Sequence, residues 1–254
     1  MRKLFCILFF PMLSIFWVDA NGQQTRFDEA NSLLENGEYS HAIDTYKSIS
    51  RDGYESGALW LNLGISYVQL DSLGMAKYSF LKANEFPETS ERATTALDYV
   101  NDRFPRQSAV LPQLPWIRFL NSVKQAIGIT ALTLMALFFL YTGTALIIGS
   151  WFRADLRRFF RIGSYISLGI SVILFILISI ITYRADRYDT AVMVDRQEAV
   201  YQQPSENSPV ISTAYEGYTM QVDHKESEPK DGWYSIRLEN GMYGWIKNET
   251  LKIL

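Results

Sequence analysis

The chain has 254 residues and a formal net charge of −3, so no global basic field argues for nucleic acid. Its single cysteine, Cys6, lies in the extreme N-terminal apolar stretch, which leaves no disulfide framework, thiol nucleophile or cysteine-based metal site in a mature chain. His41 and His224 are the only histidines and stand in different regions, and no glycine-rich phosphate loop appears. No catalytic residue, cofactor or metal site is therefore expected, and the chain does not read as an enzyme.

Residues 1–20 read as a secretory signal: Arg2 and Lys3 start it, Leu4 to Trp17 form its apolar body, and Val18 and Ala20 are small residues around a cut. Residues 25–104 then repeat internally. A displacement of 34 positions sets Ala30 over Gly64, Leu33 over Tyr67, Ala42 over Ala76, Tyr46 over Phe80 and Ile49 over Ala83. A period of this length, with small and large apolar residues in this order, resembles tetratricopeptide repeats. Pro87 stops the second copy, and Thr89 to Phe104 reads as a capping helix with Ala93, Ala96, Leu97, Val100 and Phe104 on one side. In that family the first helices line a protein-binding groove. The resemblance therefore implies a groove at Asn31, Leu34 and Glu35 in the first copy and Leu61, Ile65, Val68 and Gln69 in the second, with Tyr99, Asp102 and Arg103 following. Leu61, Ile65 and Val68 have the alternative of packing against adjacent helices.

Pro105, Pro112 and Pro115 mark an extended spacer, and 105–124 reads as a linker and interfacial segment. Trp116 and Phe119 stand there among Arg118 and Lys124, a mixture suited to a membrane interface or to a short surface helix. Two uncharged apolar runs follow, Ala126 to Ile148 and Ile162 to Tyr183, each long enough for the roughly 20 residues that cross a bilayer. Together they make a transmembrane helical hairpin over 125–183. Arg153, Arg157, Arg158 and Arg161 lie in the connecting loop, 153–161, which predicts a cytoplasmic loop and soluble parts on the opposite side. Gly163, Ser167 and Ser171 in the second run, with Ala145 and Gly149 in the first, predict a close-packed seam. No ionisable side chain lies within either run, so the hairpin reads as an anchor and not as a transport path.

Residues 190–254 change to short β-rich runs, with Asn240-Gly241 predicting a two-residue hairpin turn and Asp231-Gly232 another turn. Val200-Tyr201, Pro204, Gly217, Gly232-Trp233, Gly241, Gly244, Trp245 and Ile246 resemble bacterial SH3-like domains, small all-β barrels. Such domains usually bind peptides or cell-wall material, which implies Tyr201, Trp233 and Trp245 as groove residues, Trp245 having the alternative of a core place.

The order signal, helical repeats, two membrane helices and SH3-like domain resembles the BatE-type proteins of the bacterial aerotolerance operon. That resemblance implies a non-enzymatic inner-membrane scaffold with periplasmic soluble domains. Its partners would be Bat-type membrane proteins with von Willebrand A-type domains and a MoxR-type ATPase. Two rivals stand beside it: a peptidoglycan-binding accessory subunit of a cell-wall enzyme, and a membrane sensor.

Overall fold

Among the described residues, five helices make the N-terminal part: α1 (22–35), α2 (Tyr39–Arg51), α3 (Gly57–Gln69), α4 (Leu73–Asn84) and α5 (Ser90–Asn101). The computed structural model describes residues 22–106, 110–112, 114–228, 230 and 232–254. The signal reading of 1–20 lies outside these residues, as do parts of the 105–115 spacer and Asp231 of the Asp-Gly turn. Local chemistry sets the helix limits. The Ser56 hydroxyl accepts from the Leu59 N–H at 3.2 Å, capping α3, and α4 stops short of Pro87.

The 34-residue displacement is visible in the packing. Ala42 and Ala76 are both fully buried, Tyr46 matches Phe80, and Ile49 matches Ala83, all within the helical core. Gly64 lets α3 approach α4, because a Cβ there would stand 2.4 Å from the Phe80 ring. The core contains one polar knot. Asn31 Oδ1 accepts from the Tyr46 hydroxyl at 2.6 Å and from Asn62 Nδ2 at 2.9 Å, so these polar groups are satisfied inside. Burial pushes the Tyr46 phenol up to about 12.

The C-terminal part is an antiparallel sheet in the order β3-β2-β6-β5-β4-β1-β7. Its strands are β1 (Tyr188–Met193), β2 (Gln197–Tyr201), β3 (Val210–Tyr215), β4 (Thr219–Asp223), β5 (Trp233–Leu238), β6 (Tyr243–Lys247) and β7 (Leu251–Ile253). Alternation sends Val200, Met220, Val222, Ile236, Leu238 and Ile246 into one core, with Ala191, Met193 and Ala214 beside them. A one-turn helix, α9 (His224–Ser227), interrupts β4 and β5, with Asp223 capping it through the Glu226 N–H. The β5–β6 turn differs from the two-residue expectation. Leu238 and Met242 close a three-residue loop in which only Gly241 has positive φ, at 86°, while Asn240 spends its side chain on the Met242 N–H. One left-handed residue after a turn is the usual three-residue solution, and glycine takes it without strain.

The helical part and the sheet, residues up to 106 and from 190 onward, form a single compact unit. Their junction is the β3–β4 turn. Glu216 accepts from the Gly74 N–H at 2.6 Å, in the first turn of α4, where the helix dipole favours a carboxylate. Lys77 Nζ donates to the Gly217 carbonyl at 2.6 Å and stands 5.6 Å from the centre of the Phe104 ring. Phe104 is buried against Gly217, whose φ is 81° and whose Cβ, if it had one, would lie 2.2 Å from that ring. Arg106 covers the Tyr215 ring at 4.2 Å. Burial pulls the Lys77 ammonium below its usual range, with Glu239 opposing the shift.

Residues 110–189 form the second unit: α6 (Pro115–Ile127), α7 (Ile129–Phe152) and α8 (Arg157–Arg187). Both α7, of 24 residues, and α8, of 31, are long and apolar enough to cross a membrane. They pack through small residues. Ser167 and Ser171 donate to the Phe139 and Ala136 carbonyls at 2.7 and 3.0 Å, and Gly143 lies against Leu168. On α7 the buried positions are Leu132, Ala136, Gly143 and Ser150, and the last three recur every seven residues, the spacing that keeps one seam against a partner helix. Ala145, expected in that seam, is exposed because it lies off this stripe; Gly149 and Gly163 do border the partner helix, near Phe160 and Leu146. The connection is shorter than the expected 153–161 loop. Helix α8 begins at Arg157, so Arg157, Arg158 and Arg161 belong to its first turns and only Arg153 stays in the linker. Backbone hydrogen bonding does not stop where apolarity stops, and arginine is a good helix former.

Candidate functional site

Strands β2, β6 and β5 lie side by side, and their residues facing away from the core form an aromatic strip. Tyr201 is paired with Trp245, and Trp245 with Ser235, so these side chains share a face. Trp233 is opposite Lys247 and diagonal to Trp245 on that same face. The Tyr201 and Trp233 rings meet edge to face with centres 5.3 Å apart, which fixes their orientation. All three expected aromatic residues are thus brought together, and each is half-buried. Trp245 takes neither a core place nor a fully open one.

Charged groups bracket the strip. At one end Lys247 and Glu206 make an ion pair at 2.6 Å, which raises the lysine's affinity for its proton and lowers that of the carboxylate. At the other end Arg237 covers the Tyr243 ring at 5.5 Å, and Tyr243 is 68% exposed. Sequence reasoning passed over Glu206, Lys247, Arg237 and Tyr243. The register signal was available for the last three, because they alternate in phase with Trp233 and Trp245. Glu206 reaches the strip from the β2–β3 loop and had no such signal. The rings of the strip stay half-exposed while the helical part is docked on the β3–β4 turn. Flat rings in a row, held by a rigid sheet, offer contact area at low entropic cost, and the flanking charges give it polarity.

Residues 199–252 match the bacterial SH3 domain family. That span covers the aromatic strip and the turn that meets the helical part. No curated protein matches the chain.

The expected groove of the helical part divides differently. Leu61 is 3% exposed and belongs to the core, because α3 lies between neighbouring helices and is apolar on almost every side. Leu34 and Ile65 are half-buried and pack on that core, and Asn31 is committed to the knot with Tyr46 and Asn62. Glu35 and Gln69 are exposed. Tyr99 is 50% exposed with the Arg103 guanidinium 4.5 Å from its ring centre, a paired surface feature on α5 and just after it. Of the ten positions expected in the groove, Tyr99 and Arg103 form the exposed ring–cation pair. Arg153, Arg157, Arg158 and Arg161 cluster at the α7–α8 turn, where Arg157 Nε donates to the Ser150 carbonyl at 3.3 Å.

Proposed function

We propose that this protein is a non-enzymatic membrane scaffold that displays two protein-binding modules, a short tetratricopeptide-type helical stack and a bacterial SH3 domain, on one side of a bilayer. The observation that carries the reading is the open aromatic strip of Tyr201, Trp233 and Trp245 on a β-domain of the bacterial SH3 family. The helical stack adds the exposed Tyr99–Arg103 pair as a second contact point. Helices α7 and α8 anchor both by crossing the membrane as a hairpin, with the arginine-rich turn in the cytoplasm and the modules in the periplasm. Support for one-sidedness comes from the junction: Gly74 and Lys77 precede the hairpin in sequence, Glu216 and Gly217 follow it, and they touch. Two sites held on one anchor raise the effective concentration of a second partner, which suits assembly of a complex from weak contacts. The order of elements points to a Bat-type envelope complex with von Willebrand A-type partners and a MoxR-type ATPase.

The test is affinity capture from mild-detergent membranes, comparing the full chain with a Tyr201→Ala/Trp233→Ala/Trp245→Ala variant and a Tyr99→Ala/Arg103→Ala variant. The scaffold reading expects membrane-protein partners that each variant loses in part. Recovery of the same set by all three sinks the assignment of the sites. Aromatic strips also stack on sugars, so retention of the full chain on purified peptidoglycan, lost with the triple variant, would favour the cell-wall accessory reading instead.

A further inference from the structure

Helix α6, Pro115–Ile127, has no buried residue, and Trp116 and Phe119 are each 60% exposed. Proline at its first turn supplies the fixed φ with which helices start. Its apolar residues, Ile117 apart, are nevertheless ordered. Trp116, Leu120, Val123 and Ile127 recur at the spacing of one helical stripe, with Phe119 and Ala126 beside it. Arg118, Asn121, Ser122 and Gln125 occupy the opposite side, and Lys124 borders the stripe. The helix has two cations and no acidic residue. It ends at Gly128, which is at once the last cap of α6 and the first of α7, with φ 78° and ψ 154°. Few residues other than glycine adopt that conformation, so a one-residue corner joins an amphipathic helix to an apolar helix long enough to span a bilayer.

We infer that α6 is an interfacial helix that lies in the headgroup layer of an anionic leaflet, on the side from which α7 enters. Its Trp116–Ile127 stripe rests on the acyl chains, and Arg118 and Lys124 meet lipid phosphates. A short helix with one apolar face, a basic polar face and an aromatic residue at its start is suited to that plane, where burial reaches about 5–10 Å. Anionic lipid is the occupant favoured by charge, since each basic residue near such a surface adds attraction and the helix's own sequence has no acid. Continuity through Gly128 supplies the location: a stripe joined without a spacer to a spanning helix is held at the depth where it can enter lipid. The inference rests on the reading that α7 and α8 cross the membrane.

The test uses the full chain in lipid nanodiscs, with Cys6→Ser and one introduced cysteine at a time carrying a nitroxide label. Leu120→Cys and Val123→Cys report the stripe, Asn121→Cys and Gln125→Cys the polar side, and Phe138→Cys the middle of α7. Oxygen concentrates in lipid and a nickel chelate in water, so their relaxation ratio reads depth. The expected result is an oxygen-to-nickel ratio several-fold higher at 120 and 123 than at 121 and 125, with position 138 highest. In purely neutral lipid, or with Arg118→Gln/Lys124→Gln, the ratio at 120 and 123 should fall. Oxygen preference at 138 with nickel access at all four α6 positions overturns the inference and leaves the spanning reading standing. Exclusion of both reagents from 120 and 123 also overturns it, because protein then covers the stripe. Nickel access at 138 refutes the spanning reading itself. Ratios indifferent to anionic lipid overturn the lipid assignment.

Discussion

The two helical regions of this protein are built inside out relative to each other. In α1–α5 the large side chains Tyr46, Trp60 and Phe80 are buried. In α7 and α8 the contact is made by Ala136, Gly143, Ser164, Ser167 and Ser171, while Phe138, Phe152 and Ile173 stand 64%, 81% and 66% exposed. On the proposed membrane reading, the same secondary structure answers two solvents. Water rewards hiding aromatic area, so the first region packs like a core. Lipid would give the second no such reward, which accords with its close backbone approach and inter-helix hydrogen bonds.

The largest effect that separates them is truncation of a phenylalanine. Phe80→Ala should cost the helical unit about 3–5 kcal/mol in denaturant unfolding. Phe138→Ala should change the stability of the hairpin by no more than about 0.5 kcal/mol in detergent. Equal losses would erase the distinction. Gly217→Ala should come next. A left-handed alanine and a clash with Phe104 together cost about 1–3 kcal/mol. The loss should fall on the junction, so that limited proteolysis releases the helical part from the β-domain before either unfolds.

Alkali gives a third contrast. The Tyr46 phenol holds its proton more tightly folded than unfolded, where its value is 10.0, and burial takes it to about 12. Its contribution is thus intact below pH 10 and is lost as pH climbs toward about 12. A pH series of unfolding midpoints should show this fall in the helical unit, and Tyr46→Phe should flatten it. Ser167→Ala and Ser171→Ala should each cost only about 0.6 kcal/mol, the size of an inter-helix hydrogen bond, read from hairpin unfolding in detergent.

Periodicity made much of this architecture legible. The 34-residue displacement aligned Ala42 with Ala76 and Tyr46 with Phe80, and the SH3-like resemblance named Tyr201, Trp233 and Trp245 as groove residues. These signals are local, repeating every few residues along one element. Leu61 shows where they stop, because apolar residues on a helix look alike whether they face a ligand groove or a third helix. The junction was out of reach for a stronger reason. Gly74 meets Glu216 across 142 positions, and a helix N-terminus, a turn and one phenylalanine have no shared pattern to announce them. The seam of α7 was read partly off register, since Ala145 and Gly143 differ by two residues and only packing against α8 chooses between them.

The central claim is that both modules stand on one side of the membrane and the arginine turn on the other. Single cysteines at Glu91, Arg158 and Lys252, all exposed, on a Cys6→Ser background can be tested with a membrane-impermeant maleimide. In cells with a permeabilised outer membrane, Glu91→Cys and Lys252→Cys should label at once, and Arg158→Cys only after lysis. Labelling of position 91 without 252, or of 252 without 91, would contradict the account.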